Sequence, residues 1–353
     1  MKIKELLVEN LRNLAEVSLQ PHSDLNLIVG DNGAGKTAII ESLVVLSRGR
    51  SFKTQQASEL IGPEKNSFRI FAEAVNDKGK ILRLGLERSG KYWRARRDSA
   101  DLTQISKLTR SLPLILMEPN SHLLVSGAPE NRRKFLDWGV FHVEQGFLDI
   151  YRRYTRALKQ RNSALRQNQT ELLDSLDSLM CPLAIQLDML RKRHCETVSL
   201  KLRDLLSVLS PALKEIDIEY VNGWGAESYE EALYESRGRD MERGVTRLGP
   251  HRADMNLLTG KALARSVLSR GEQKIVSAAL LLAQSRLLNT LGEHPILLFD
   301  DLASEFDQVH FDNVLEVAME RGGQVWVSGT RIPPQSRQNK VFHVKHGDVR
   351  EVV

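Results

Sequence analysis

The string Gly30-Asp31-Asn32-Gly33-Ala34-Gly35-Lys36-Thr37 fits the G-x-x-x-x-G-K-[ST] phosphate loop at every position. It constrains the fold because the loop works only between a buried strand and a helix. Residues 25–29 supply the apolar run for the strand, and residues 38–46 read as the helix. The glycines let the backbone wind tightly enough for successive N–H groups to converge on an anion. The helix start adds its partial positive charge. Lys36 is expected to reach the β- and γ-phosphates, and Thr37 to offer its hydroxyl to Mg²⁺. A nucleoside triphosphate, ATP, is therefore the expected ligand of residues 30–37.

The 353 residues, 41% hydrophobic and 27% charged, have the composition of an ordinary globular chain. No apolar run approaches the roughly 20 residues that span a bilayer. Glu5 and Glu9 interrupt the segment where a signal peptide would be apolar, so a cytoplasmic location is expected. Cys181 and Cys195 have neither metal-ligand spacing nor a disulfide framework, and both read as reduced thiols. The chain carries a formal charge of +5, and residues 130–166 hold nine basic against four acidic side chains, an equal excess. Within this window Arg152, Arg156, Lys159 and Arg166 follow a 4-3-7 spacing on one helix face. Phe147, Tyr151, Tyr154, Leu158 and Leu165 line an adjacent apolar stripe, which makes both tyrosines expected core. On spacing alone the basic face reads as a solvated surface.

Along the chain, residues 1–29 read as two strands around a turn at Gln20-Pro21-His22-Ser23. Residues 67–97 alternate like an antiparallel meander, and 112–117 form a further strand. From 129 to 212 the pattern is helical, with Pro182 and Pro211 expected to interrupt it. The glycines of 221–244 suggest loop. Strand and helix then return: a strand at 255–258, a helix at about 272–290, strands at 296–299 and 324–328, and a hairpin at His346-Gly347-Asp348. The expected fold class is α/β: one domain from 1–125 plus 213–353, built from both ends of the chain, with a helical lobe at 126–212 inserted.

Two more strings complete the pattern. Ile296-Leu297-Leu298-Phe299-Asp300-Asp301 is an apolar strand ending in two carboxylates. Lying beside the phosphate-loop strand, it would bring Asp300 to Mg²⁺ and Asp301 to the attacking water. Leu268-Ser269-Arg270-Gly271-Glu272 opens a helix with a capping box, Ser269 to Glu272, and a helix start is also an anion site. Phosphate loop, this signature, the acidic strand and Ser304-Glu305-Phe306-Asp307, in that order, resemble the ABC-type ATPase superfamily. That resemblance implies that Ser269 and Gly271 serve the ATP of a partner protomer, so that two heads close on two nucleotides.

Further strings resemble the RecF family within it: Asn10-Leu11-Arg12-Asn13, Gly49-Arg50-Ser51-Phe52-Lys53-Thr54, Arg132-Arg133-Lys134-Phe135-Leu136-Asp137, Lys159-Gln160-Arg161-Asn162 and Leu248-Gly249-Pro250-His251-Arg252. The family resemblance implies an ATP-dependent binder of duplex and gapped DNA that acts in replication, recombination and repair of DNA damage, including the SOS response. It further implies an ATP-induced homodimer, a weak DNA-stimulated ATPase, and partnership with RecR and RecO in loading RecA. Arg12 and Asn13 would join the nucleotide site, and Arg132, Arg133, Arg152, Arg156 and Lys159 would meet DNA. Ala253 stands where many relatives have an acid, and Asp301 and Ser328-Gly329-Thr330 stand where transporter heads carry Glu and a switch His. The alternative is the ATP-driving subunit of a membrane transporter, which shares the three nucleotide motifs. An SMC-type head would need long heptad stretches that the chain lacks.

Overall fold

The computed structural model describes residues 1–320, 322–330 and 339–352. They form two compact units, residues 1–121 with 285–353 and residues 122–284. The first joins both ends of the chain.

Two sheets enclose one buried helix in the first unit. The phosphate-loop strand Leu25–Gly30 is flanked on both sides by parallel strands, Val325–Gly329 and Asn339–Lys345. Strands Ile296–Phe299 and Leu114–Met117 extend the sheet past Val325–Gly329. Asp348–Glu351 closes the other edge in antiparallel sense. The acidic strand is thus not the direct neighbour expected from the sequence, because Val325–Gly329 lies between it and the phosphate-loop strand.

The second sheet is antiparallel and includes strands Lys2–Leu11, Leu14–Leu19, Phe68–Val75, Ile81–Ser89 and Tyr92–Arg97. One cross-strand row, Val17–Val8–Ile70–Leu86–Ala95, is buried throughout. Strict alternation places these residues on one face, as the period of a strand dictates. Leu14–Leu19 is a strand the sequence reading did not separate. It returns from Lys2–Leu11 through a tight turn at Arg12, whose φ of 56° is left-handed. Helix Lys36–Arg48 buries Ile39, Ile40, Leu43, Val44, Val45 and Leu46 in a core shared with Ile28, Trp326 and Phe342 of the parallel sheet and Leu6 and Ile70 of the antiparallel one. A helix with apolar residues on most of its faces belongs in such a position, and its buried polar side chains Glu41 and Ser47 are hydrogen-bonded.

The second unit packs helices Pro129–Val143, Phe147–Arg166, Leu173–Leu209 and Tyr229–Arg243 with a small antiparallel sheet, Ile216–Val221, Asp254–Thr259 and Ala262–Leu263. Segment 213–284, grouped from sequence with the chain ends, packs here instead. Ser199 bonds Asp217, Tyr220 bonds Asp188, and Arg132 forks onto Asp254.

Pro182 does not interrupt its helix, which runs 37 residues from Leu173 to Leu209. An internal proline costs about 3 kcal/mol. Here its ring faces solvent, while Met180, Leu183, Ala184 and Leu187 pack with Phe147, Tyr154, Tyr229 and Leu233. Burying several such side chains at about 1.5–3 kcal/mol each outweighs the lost hydrogen bond. The loop expected at 221–244 contains helix Tyr229–Arg243. The Ser228 side chain caps it by accepting from the Glu231 N–H, and left-handed Gly244 ends it.

Candidate nucleotide site

Helix Lys36–Arg48 starts with no side-chain cap and no acid in its first turn, so its N-terminal N–H groups are left for an anion. Gly35 precedes it at φ 120° and Gly33 lies at φ 77°, both in a region that residues with a side chain rarely adopt. Gly30 is needed for space: a Cβ there would lie 2.2 Å from the Val344 carbonyl oxygen. Asn13 braces the loop by donating from Nδ2 to Ala34 O at 3.1 Å, and the Gly347 N–H donates to the same oxygen at 2.8 Å. Asp31, Asn32 and Gly33 face solvent, whereas Ala34 and Lys36 are buried. Lys36 Nζ donates to Gly30 O at 2.7 Å and to Asp31 O at 2.9 Å, spanning the loop from within.

Although one strand intervenes, Asp300 reaches the loop. Thr37 Oγ1 donates to Asp300 Oδ1 at 2.9 Å, and Ser328 Oγ donates to the same oxygen at 2.7 Å. The Asp301 N–H donates to Ser328 Oγ at 2.9 Å, so one serine of the intervening strand orients both ends of the Asp300–Asp301 peptide. Asp301 has a left-handed φ of 57°, and its Oδ2 accepts from Ser304 Oγ at 2.7 Å. A threonine hydroxyl and a carboxylate converging beside a helix N-terminus are hard oxygen donors that suit Mg²⁺, which keeps much of its water shell and uses few protein ligands. The residues present fit that ion.

Arg12 forks onto Glu41 of the phosphate-loop helix, Nε and Nη2 each at 2.9 Å from a carboxylate oxygen, and Ser51 also bonds Glu41. Glu41 is 1% exposed, so Arg12 neutralises a buried charge, and the hydrogen bond to Glu41 raises the Arg12 pKa. Arg12 and Asn13 therefore sit against the loop and its helix.

In the second unit, Ser269, Arg270 and Gly271 are exposed at the start of helix Arg270–Thr290. The capping box is reciprocal: Ser269 N donates to Glu272 Oε2 at 2.8 Å and Glu272 N donates to Ser269 Oγ at 3.3 Å. These bonds from Ser269 hold the Glu272 carboxyl below its usual range.

The basic residues divide. Arg152, Arg156 and Lys159 are exposed on one helix. Arg132 is 3% exposed and forks onto Asp254 at 2.7 and 3.0 Å, so its assignment as a DNA contact is corrected: its charge is internally matched. Arg133 is half-buried and donates to Ala253 O at 2.8 Å. Arg161, fully buried, meets Asp177 at 2.6 Å and Asp240 at 2.7 Å. Acids outside the 130–166 window thus cancel part of its excess. Tyr154 is core, as its spacing implied, but Tyr151 is 37% exposed.

The family model for the RecF/RecN/SMC N terminal domain matches residues 2–350. The chain is 38% identical to the DNA replication and repair protein RecF of Xanthomonas axonopodis pv. citri, covering 99% of this chain and 98% of that protein. It is 37% identical to that of Stenotrophomonas maltophilia, covering 99% of each. The chain belongs to the RecF family. In fold it is similar to a recombination mediator protein RecF solved with ATP, with a TM-score of 0.89 at 23% identity over 100% of this chain and 98% of that one. An Smc head bound to the C-winged helix domain of ScpA matches with a TM-score of 0.63 at 15% identity over 100% and 97%. The mixed α/β architecture expected from the sequence is that of RecF and Smc heads.

Sequence reasoning passed over three residues of this RecF-family site. Ser328 entered only as the place of an absent histidine, Glu41 not at all. Glu118 was given no role, yet it follows the strand paired with Ile296–Phe299. Burial, and then the charge of Asp300, push its carboxyl up to about 7. An acid closing a strand parallel to the acidic strand was the available signal.

Proposed function

We infer that this chain is an ATP-dependent DNA-binding protein of recombinational gap repair and replication restart. It binds duplex or gapped DNA as an ATP-induced dimer, hydrolyses ATP slowly, and assists RecA loading together with RecO and RecR. The observation that carries the reading is the Thr37–Asp300–Ser328 network, which joins a phosphate loop to an acidic strand in a chain with full-length RecF relatives.

In this reading the N–H groups of residues 33–37 and Lys36 bind the phosphates, with Lys36 exchanging loop carbonyls for phosphate oxygens. Thr37 and Asp300 would hold Mg²⁺, which when bound neutralises phosphate charge. Asp301 orients the attacking water and takes its proton. Ser269 and Gly271 contact the γ-phosphate in the partner protomer's site. Arg152, Arg156 and Lys159 contact DNA phosphates, which gives affinity without sequence specificity. The relatives named here are replication and repair proteins, so the transporter alternative draws no support from them.

The test is DNA binding measured without nucleotide, with ADP and with ATP. Tight binding to gapped duplex only with ATP is expected. Equal binding in all three conditions would sink the ATP-switched reading.

A further inference from the structure

Residues 42–58, 88–97 and 102–117 contain no acidic residue, so every charged side chain in them is Lys or Arg; the short link between the last two carries Asp98 and Asp101. The first unit folds them against one another. Arg88 Nη1 donates to Gly49 O at 3.1 Å. A Cβ on Gly49 would lie 2.7 Å from the Ile105 side chain, so the turn after the phosphate-loop helix rests on helix Ile105–Ser111. Arg97 Nη1 donates to Ser111 Oγ at 3.1 Å, and Thr109 Oγ1 to Ser47 O at 2.9 Å.

Arg50, Lys53, Lys91 and Lys107 are exposed. Arg94 and Arg96 differ, since both bind Asp101. Next to Lys91, at the turn between strands Ile81–Ser89 and Tyr92–Arg97, the ring of Tyr92 is 83% exposed. An ordinary solvated surface intersperses both signs of charge. Here, apart from the Arg94–Asp101–Arg96 cluster, the converging stretches carry charge of one sign, which favours a polyanion. The exposed ring supplies the second element of single-strand recognition, a stacking platform beside a phosphate track.

We propose that this surface of the first unit contacts DNA, with Lys91, Lys107 and Arg50 on the phosphate backbone and Tyr92 stacked on an unpaired base. The inference rests on the DNA-binding reading above and says where the second contact lies. Gapped DNA is the form that offers duplex phosphates and unpaired bases side by side. The helix face with Arg152, Arg156 and Lys159 offers phosphate contacts but has no ring as exposed as Tyr92.

The experiment measures anisotropy of labelled gapped and blunt duplex DNA with the full chain and ATP, across a salt series. Lys91→Glu with Lys107→Glu should weaken both complexes at least about tenfold. It should also flatten the slope of log affinity against log salt by about 2, one unit per lost phosphate contact. ATP affinity and melting temperature should be unchanged. Lys91→Gln with Lys107→Gln should flatten the slope by the same amount, which guards against a folding defect in the Glu pair. Tyr92→Ala should weaken gapped DNA at least about fivefold and leave blunt duplex unaffected, with Tyr92→Trp restoring binding. A wild-type affinity and slope in both lysine pairs would overturn the surface. Equal effects of Tyr92→Ala on the two DNAs would overturn the stacking. A wild-type protein that binds no DNA with ATP would instead overturn the function it rests on.

Discussion

Lys36 is held by two carbonyl oxygens of the loop it serves, and Lys36→Ala removes the only cation the loop itself carries. ATP affinity measured by calorimetry should fall at least about tenfold, roughly 1.4 kcal/mol. A folded mutant with unchanged affinity would remove the phosphate-loop assignment. Asp301→Asn keeps the size of the side chain and a partner for the Ser304 hydroxyl, but the amide cannot take a proton. Single-turnover hydrolysis should slow while ATP affinity stays at the wild-type level. Wild-type hydrolysis in this variant would move the base to another group.

At the level of elements, the second unit carries a pH dependence in its helix packing. His194 of helix Leu173–Leu209 lies against Gly139 and bonds Gln284, and burial holds its pKa down to about 4. His251 bonds Tyr154 and the Thr246 carbonyl, and burial lowers it also to about 4. Both lie below the unfolded value near 6.5, so between about pH 6.5 and 4 the unfolded chain binds more protons. Stability is therefore complete above pH 6.5 and falls with acidification, by about 3 kcal/mol per histidine at most. Denaturant titrations at about pH 7 and pH 4.5 should show this loss, and His194→Gln should make it shallower. An equally steep dependence in that variant would exclude His194 as a source.

The same elements show what the sequence discloses. The phosphate loop, the acidic strand and the meander are legible because each is set by contacts within a few residues: glycine geometry, an apolar run, strict alternation. The capping box Ser228–Glu231 was equally local but was masked by the glycines around it. Pro182 misleads because the packing that offsets it comes from Tyr229 and Leu233, about 50 residues away. Arg132 reads as a surface cation because its partner, Asp254, is remote in sequence. The insertion of Val325–Gly329 beside the phosphate-loop strand is a matter of topology, to which apolar runs are blind.

For the whole molecule, Ser269→Arg separates a local role from a shared one. A lost cap should cost only about 1 kcal/mol of stability. If the signature completes a partner's site, the variant binds ATP but sediments as a monomer with it and loses ATP-stimulated DNA binding. A normal ATP-dependent dimer would return Ser269 to a capping role. Reversing Arg152, Arg156 and Lys159 together should weaken DNA binding and flatten its salt slope without altering ATP affinity. An unchanged slope would make that helix a solvated face. The flanking of strand Leu25–Gly30 by Val325–Gly329 and Asn339–Lys345 also has a consequence for biosynthesis. A polypeptide emerging from the ribosome exposes residues 30–37 about 300 residues before either neighbour exists. Until then both edges of the strand lack partners, and the Gly347 N–H that fastens Ala34 has not been made. Tight ATP binding therefore becomes available only to a chain translated past Gly347, and products that stop before it are excluded from the nucleotide cycle.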